Sequence, residues 1–167
     1  PDTVRGARAR WLRRAVLLLP LALGACGYNT IQTLDETAAK SQGEIEVQLK
    51  RRADLIPNLV ATVKGFAAQE SQIFTAVAQA QRGLTGALAR PGGAHPAELA
   101  QANDALTRAV MPMMTLVTSY PQLKSDTQFL KLQDELTGTE NRIAVSRTDY
   151  NNAVNEYNSY ILSLIHI

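Results

Sequence analysis

From Phe129 onward, apolar residues return every three or four positions: Phe129, Leu132, Leu136, Ile143, Tyr150, Val154, Tyr157, Ile161. An α-helix turns once in about 3.6 residues, so this spacing lines one face of a helix; a strand would scatter the same residues over both faces. Three earlier runs follow the same rule. They are Leu34, Ala38, Ile45, Leu49, Ile56; then Val60, Val63, Phe66, Ile73, Phe74, Val77, Leu84, Leu88; then Leu99, Leu106, Val110, Met113, Leu116, Val117. No stretch alternates with period two, and β-branched residues do not cluster. The fold class is therefore all-α. With 167 residues, 46% of them hydrophobic, the chain can close one core. Spacings of three and four favour shallow crossing angles, so the expectation is an elongated antiparallel bundle of three to four long helices.

Local signals set the expected boundaries. Thr33 and Glu36 have capping-box spacing and predict a helix start near Leu34; Ser125 and Gln128 do the same for the last helix. Pro57 lacks a backbone N–H and predicts a break or kink, suited to the first turn of a new helix. Pro112 predicts a kink in the third run, and Tyr120-Pro121 closes it. The stretch Arg90-Pro91-Gly92-Gly93-Ala94-His95-Pro96 is a loop. Gly43, Gly65 and Gly138 fall inside helical runs, where close approach between helices would offset their poor propensity.

Charge divides the chain unevenly. Residues 1–25 hold Arg5, Arg8, Arg10, Arg13 and Arg14 against Asp2, a balance of +4. The remaining 12 basic and 14 acidic residues give −2, so the formal +2 belongs to the first segment. A nucleic-acid partner loses its main support. The basic start, the apolar run Ala15–Leu23 and Leu23-Gly24-Ala25-Cys26 describe an export signal. The last four residues resemble the bacterial lipoprotein processing box. In such proteins the cysteine thiol takes a lipid and becomes the first mature residue. Cys26 is the chain's sole cysteine, so it makes no internal disulfide, and with two histidines it builds no typical zinc site. Gly27 rather than aspartate after it leans towards the outer membrane. The expected organisation is a lipoprotein-type signal peptide over 1–25, a lipidated tether over 26–33, a helical bundle over 34–162 and an atypical end over 163–167.

Three blocks carry a family resemblance. They are Gly27-Tyr28-Asn29, then Arg51-Arg52-Ala53-Asp54-Leu55-Ile56-Pro57-Asn58-Leu59-Val60, then Gly138-Thr139-Glu140-Asn141-Arg142-Ile143-Ala144 with Tyr150-Asn151 and Tyr157-Asn158. With Tyr120-Pro121 and Leu123-Lys124, they resemble the LemA family from about Gly27 to Tyr160. The resemblance implies a bacterial membrane-anchored protein with an outward-facing bundle of long helices and no catalytic residues to transfer. Gln69-Glu70 departs from the histidine–glutamate pair common in that family, and Met111-Pro112-Met113-Met114 departs from its ordinary helical segment.

The candidate polar sites are two charged clusters. Arg51, Arg52 and Asp54 precede Pro57; Glu140, Asn141 and Arg142 sit mid-helix in the last run. If those helices are neighbours, the clusters form a crossed ion-pair network that sets register, or a partner contact. Glu70 and Glu140 are a carboxylate pair that could serve as acid and base, though carboxylates on neighbouring helices are common. No substrate-shaping loop accompanies them. Gly83-Leu84-Thr85-Gly86 and Gly92-Gly93 lack the lysine and strand of a phosphate loop. His95 reads as a loop residue. Tyr150 and Tyr157 read as core with hydroxyls at the edge, the other reading being an aromatic stripe for a partner; the Met111–Met114 methionines read as core filling, the other reading being an adaptable contact surface. The functional expectation is a non-enzymatic envelope protein without cofactor, metal or small-molecule substrate. It is held to the membrane through a lipid on Cys26 and contacts an unknown envelope protein. The alternatives are an oligomerising coiled-coil assembly subunit and an accessory protein to an envelope enzyme.

Overall fold

The computed structural model describes residues 28–91 and 93–165 in full and the backbone alone for 2–27. The expected signal peptide and the expected lipidation site at Cys26 lie outside the residues whose side chains are described. Among the described residues there are four α-helices: α1 (Asp2–Lys64), α2 (Ser71–Leu88), α3 (Pro96–Thr115) and α4 (Thr127–Ile165). Two short 3-10 turns, Leu116–Thr118 and Pro121–Ser125, join α3 to α4, and no strand occurs among the described residues.

Two compact units divide the chain: residues 41–149, and residues up to 40 together with those from 150. In the first, each helix buries the stripe its spacing defines. From α1 come Ile45, Leu49, Ile56, Leu59 and Val63; from α2, Phe74, Val77 and Leu84; from α3, Leu99, Leu106, Val110 and Met113; from α4, Phe129, Leu132, Leu136 and Ile143. Side-chain bonds link α1 to α2, α3 and α4. Short connections reverse the chain between successive helices, so within this unit the helices run up and down, as the apolar spacing requires.

The helix boundaries differ from those expected at three places, Pro57 and the two capping boxes. Pro57 does not end α1, which continues to Lys64. A proline at this position leaves the carbonyl of residue 53 without its intrahelical donor. Here the Gln81 amide of α2 donates to the Ala53 carbonyl at 3.1 Å and replaces that bond. The break comes instead at Gly65–Glu70, where α1 gives way to the turn before α2. Pro112 lies inside α3, as expected, and the helix runs on to Thr115.

Neither expected capping box forms. Residues 28–33 are already helical, and the Thr33 hydroxyl donates to the Asn29 carbonyl one turn back, so Thr33 is interior and no helix starts at Leu34. At α4 the cap is one residue later: Asp126 Oδ1 accepts the Phe129 N–H at 2.7 Å, satisfying one free donor of the first turn. The loop between α2 and α3 falls as expected. Gly93 takes a positive φ of 83°, and Pro96 opens α3 where a missing N–H costs nothing.

Removing the Gln81 amide should leave a carbonyl on buried Ala53 without a donor, at a cost of about 1–3 kcal/mol. Gln81→Leu is therefore expected to lower the unfolding free energy in denaturant titrations. In a Pro57→Ala background, which returns the backbone donor, the same change should cost much less. Equal costs in both backgrounds would show that the carbonyl is not what Gln81 serves.

The glycine expectation is also corrected. A Cβ built on Gly43 or Gly138 meets nothing within 4 Å, so neither glycine permits close helix contact. Gly138→Ala should then stabilise the fold by up to ~1 kcal/mol, read as a rise in Tm, because only the helix-propensity gain remains. A fall in Tm would mean that this space is needed.

Candidate functional site

Polar residues interrupt the apolar stripes at matching depths. Arg52 stands three residues after Leu49 and four before Ile56, in a position the helical repeat assigns to the core. Thr139 has the same spacing between Leu136 and Ile143, and Asn103 the reverse spacing, four after Leu99 and three before Leu106. All three are buried. The folding of 41–149 brings them together: Arg52 Nη1 donates to Asn103 Oδ1 at 2.6 Å and forms an ion pair with Glu140 Oε2. Thr139 turns inward and satisfies its hydroxyl on the Leu136 carbonyl. Arg147 approaches Asp104 at 3.8 Å near the surface end of the layer.

The layer is electrostatically expensive. Burial pushes the Arg52 guanidinium below the usual arginine range. Glu140 opposes that shift, Arg147 adds to it and Asp104 opposes it. Arg52 Nε, Asn103 Nδ2 and Arg147 Nη2 are buried without a hydrogen-bond partner among the described residues. Such groups cost free energy that the apolar positions on either side do not.

The remaining members of the two clusters stay apart from this layer. Arg51, Asp54, Asn141 and Arg142 are exposed and make no side-chain hydrogen bond or ion pair with another described residue. Glu70 and Glu140 have different partners. Glu70 sits in the turn after α1, where it accepts the Tyr120 hydroxyl at 2.9 Å, and the Gln69 amide donates to the same hydroxyl. The hydrogen bond to Glu70, with burial, raises Tyr120 above the usual phenol range. This contact ties the α1–α2 turn to the α3–α4 corner. The methionines divide, with Met113 in the core, Met114 half-buried and Met111 exposed. Tyr150 and Tyr157 are half-buried.

Asn103, Asp104, Arg147 and Gln81 were not among the expected site residues. Asn103 carried a legible signal, a polar side chain in apolar register. Gln81 was signalled only indirectly, by Pro57 leaving a carbonyl to be served.

An all-α unit with a polar layer across its core defines a helical-bundle protein, and comparison with known proteins places it further. The LemA family profile matches residues 41–166, most of the chain. This chain belongs to the LemA family. Magnetosome protein MamQ 2 and Magnetosome protein MamQ 1 of Paramagnetospirillum magneticum are each 28% identical to it over 153 residues. Magnetosome protein MamQ of Magnetospirillum gryphiswaldense is 29% identical over 152 residues. Each match covers 78% of this chain and 56% of the relative, so the chain spans about half the length of those proteins.

Proposed function

We propose that this chain is a membrane-anchored protein of the bacterial envelope that works by binding another protein rather than by catalysis. Its anchor is a lipid on Cys26, on the extracytoplasmic side. The observation that carries the binding role is the outward surface of α1 and α4. Val47 and Val145 are 63% and 61% exposed, and Arg51, Asp54, Asn141 and Arg142 stand exposed on the same two helices without partners among the described residues. Apolar contact area ringed by uncommitted charge is what a protein partner can bury and pair. Membership of the LemA family supports the membrane setting, and the relatives are named for a cellular structure rather than for a reaction. Among the described residues, no helix is long and apolar enough to cross a membrane, and no three His, Cys, Asp or Glu residues gather as a metal site.

Photo-crosslinking amino acids placed at Val47 and Val145 in growing cells should each trap one and the same envelope protein. A probe at Lys131, exposed on α4 outside the cluster, should not trap it. Adducts only with a second copy of this chain would instead support the oligomerising reading. No adduct at either valine would overturn the binding surface.

A further inference from the structure

Between Asp54 and Glu98 the sequence holds three basic residues, Lys64, Arg82 and Arg90, and one acid, Glu70. This is a local excess of positive charge in a chain that is acidic from residue 26 onward. Arg90 is committed to Glu98, and Glu70 turns its carboxylate to the Tyr120 hydroxyl. Lys64 and Arg82 have no such commitment, since neither side chain makes a hydrogen bond or ion pair with another described residue. Both line one groove of about 390 Å³ where the last turn of α1 meets α2. Ala68, Ser71, Thr75 and Ala78 complete the lining with Phe74, so no carboxylate faces the two cations.

The two cations are held apart. Lys64 Nζ stands 5.3 Å from the centroid of the Phe74 ring, which is buried, and this cation–π contact seats the ammonium at one position. Arg82 follows Phe74 by eight residues, about 12 Å along α2. Thr75 and Ala78 stand between them and are small enough to leave the groove open. A cleft lined by charge of one sign concentrates its field, so this groove favours a ligand that is negative at two separated points. A single small anion satisfies one cation only, and a flat bilayer meets the rim rather than the floor. A peptide in extended form advances about 3.3 Å per residue, so carboxylates four residues apart span the same 12 Å. We infer that this groove docks an acidic segment of a partner protein, with carboxylates on Lys64 and Arg82. Other residues make this groove than the surface around Val47 and Val145, and the inference stands without that surface.

The test titrates the full-length protein, purified in detergent, against a fluorescein-labelled hexaglutamate peptide at low salt, read by anisotropy. Saturable binding is expected, and Lys64→Gln with Arg82→Gln should weaken it about tenfold. Arg108→Gln, which removes an exposed cation on α3 outside the groove, should leave it unchanged. The reversed pair Lys64→Glu with Arg82→Glu should lose hexaglutamate and bind a hexalysine peptide instead. That gain shows a folded groove, so the loss of the acidic peptide does not come from unfolding. No binding to the wild type, equal affinity in the double glutamine variant, or an equal loss in Arg108→Gln overturns the inference. So does a reversed variant that keeps hexaglutamate or gains no hexalysine. Phosphatidylglycerol vesicles that bind through Lys64 and Arg82 while hexaglutamate does not would assign the groove to a lipid surface and overturn it as well.

Discussion

Glu140→Ala should lower the unfolding free energy by about 2–3 kcal/mol and shift the denaturant midpoint without changing the slope. The reason lies in what remains. Arg52 is buried, and the change leaves its guanidinium with Asn103 as its one described hydrogen-bond partner. Deleting one member of a buried pair costs roughly 3–5 kcal/mol, but the Glu140 side chain is 42% exposed, so water can reach the gap and the expected cost falls to the bottom of that range or just below it. The converse change separates stability from specificity. Arg52→Met with Asn103→Leu and Glu140→Leu replaces the layer by apolar groups, and should be neutral or stabilising by about 1–4 kcal/mol. We propose that the layer is retained because it sets which residues of α1, α3 and α4 face one another. The triple variant should then show broadened or multiple amide resonances, or a changed oligomeric state, despite its higher Tm. A single sharp spectrum with an unchanged mass by light scattering would refute the register role. An unchanged midpoint in Glu140→Ala would refute the energetic account of the pair.

Cys26→Ser should abolish lipid incorporation altogether and leave an unprocessed precursor. The thiolate is the nucleophile that carries the lipid, and a serine hydroxyl is scarcely ionised near neutral pH, so the substitution removes the reaction while leaving the shape of the segment almost unaltered. Each buried methylene contributes about 0.8 kcal/mol to membrane partitioning; a single chain binds marginally, whereas two or three hold firmly. Growth with radioactive fatty acid should label the wild type and not the variant, and gel mobility should show the uncleaved form. An unlabelled wild type would defeat the lipoprotein reading, whatever the fate of the variant.

How far the fold could be read depends on which residues carry it. The α4 series Phe129, Leu132, Leu136 and Ile143 is buried as its spacing requires, and the loop that carries Gly93 divides α2 from α3. Both are local, since periodicity and turn chemistry act within one element. The errors share a different cause. At Pro57 the sequence records a missing donor, but the replacement comes from Gln81, distant in sequence and near only after folding. At Gly138 it records a flexible residue, but whether another helix lies close is a tertiary fact, and here none does. Thr33 and Ser125 have the spacing of caps, yet a cap needs the helix to begin there.

The candidate site divides along the same line. Arg52 and Glu140 were legible as charged residues in distinctive blocks, whereas Asn103 and Asp104 entered only once α3 was placed beside α1 and α4. By itself the sequence determined the helical class, the faces that must be buried, the family and the position of the one thiol, because each follows from residue type and spacing along a single rod. Tertiary structure alone decided which polar groups meet inside the core, which charges remain at the surface and where a helix survives a proline. Those outcomes depend on partners from other helices, and no local spacing encodes a partner's distance.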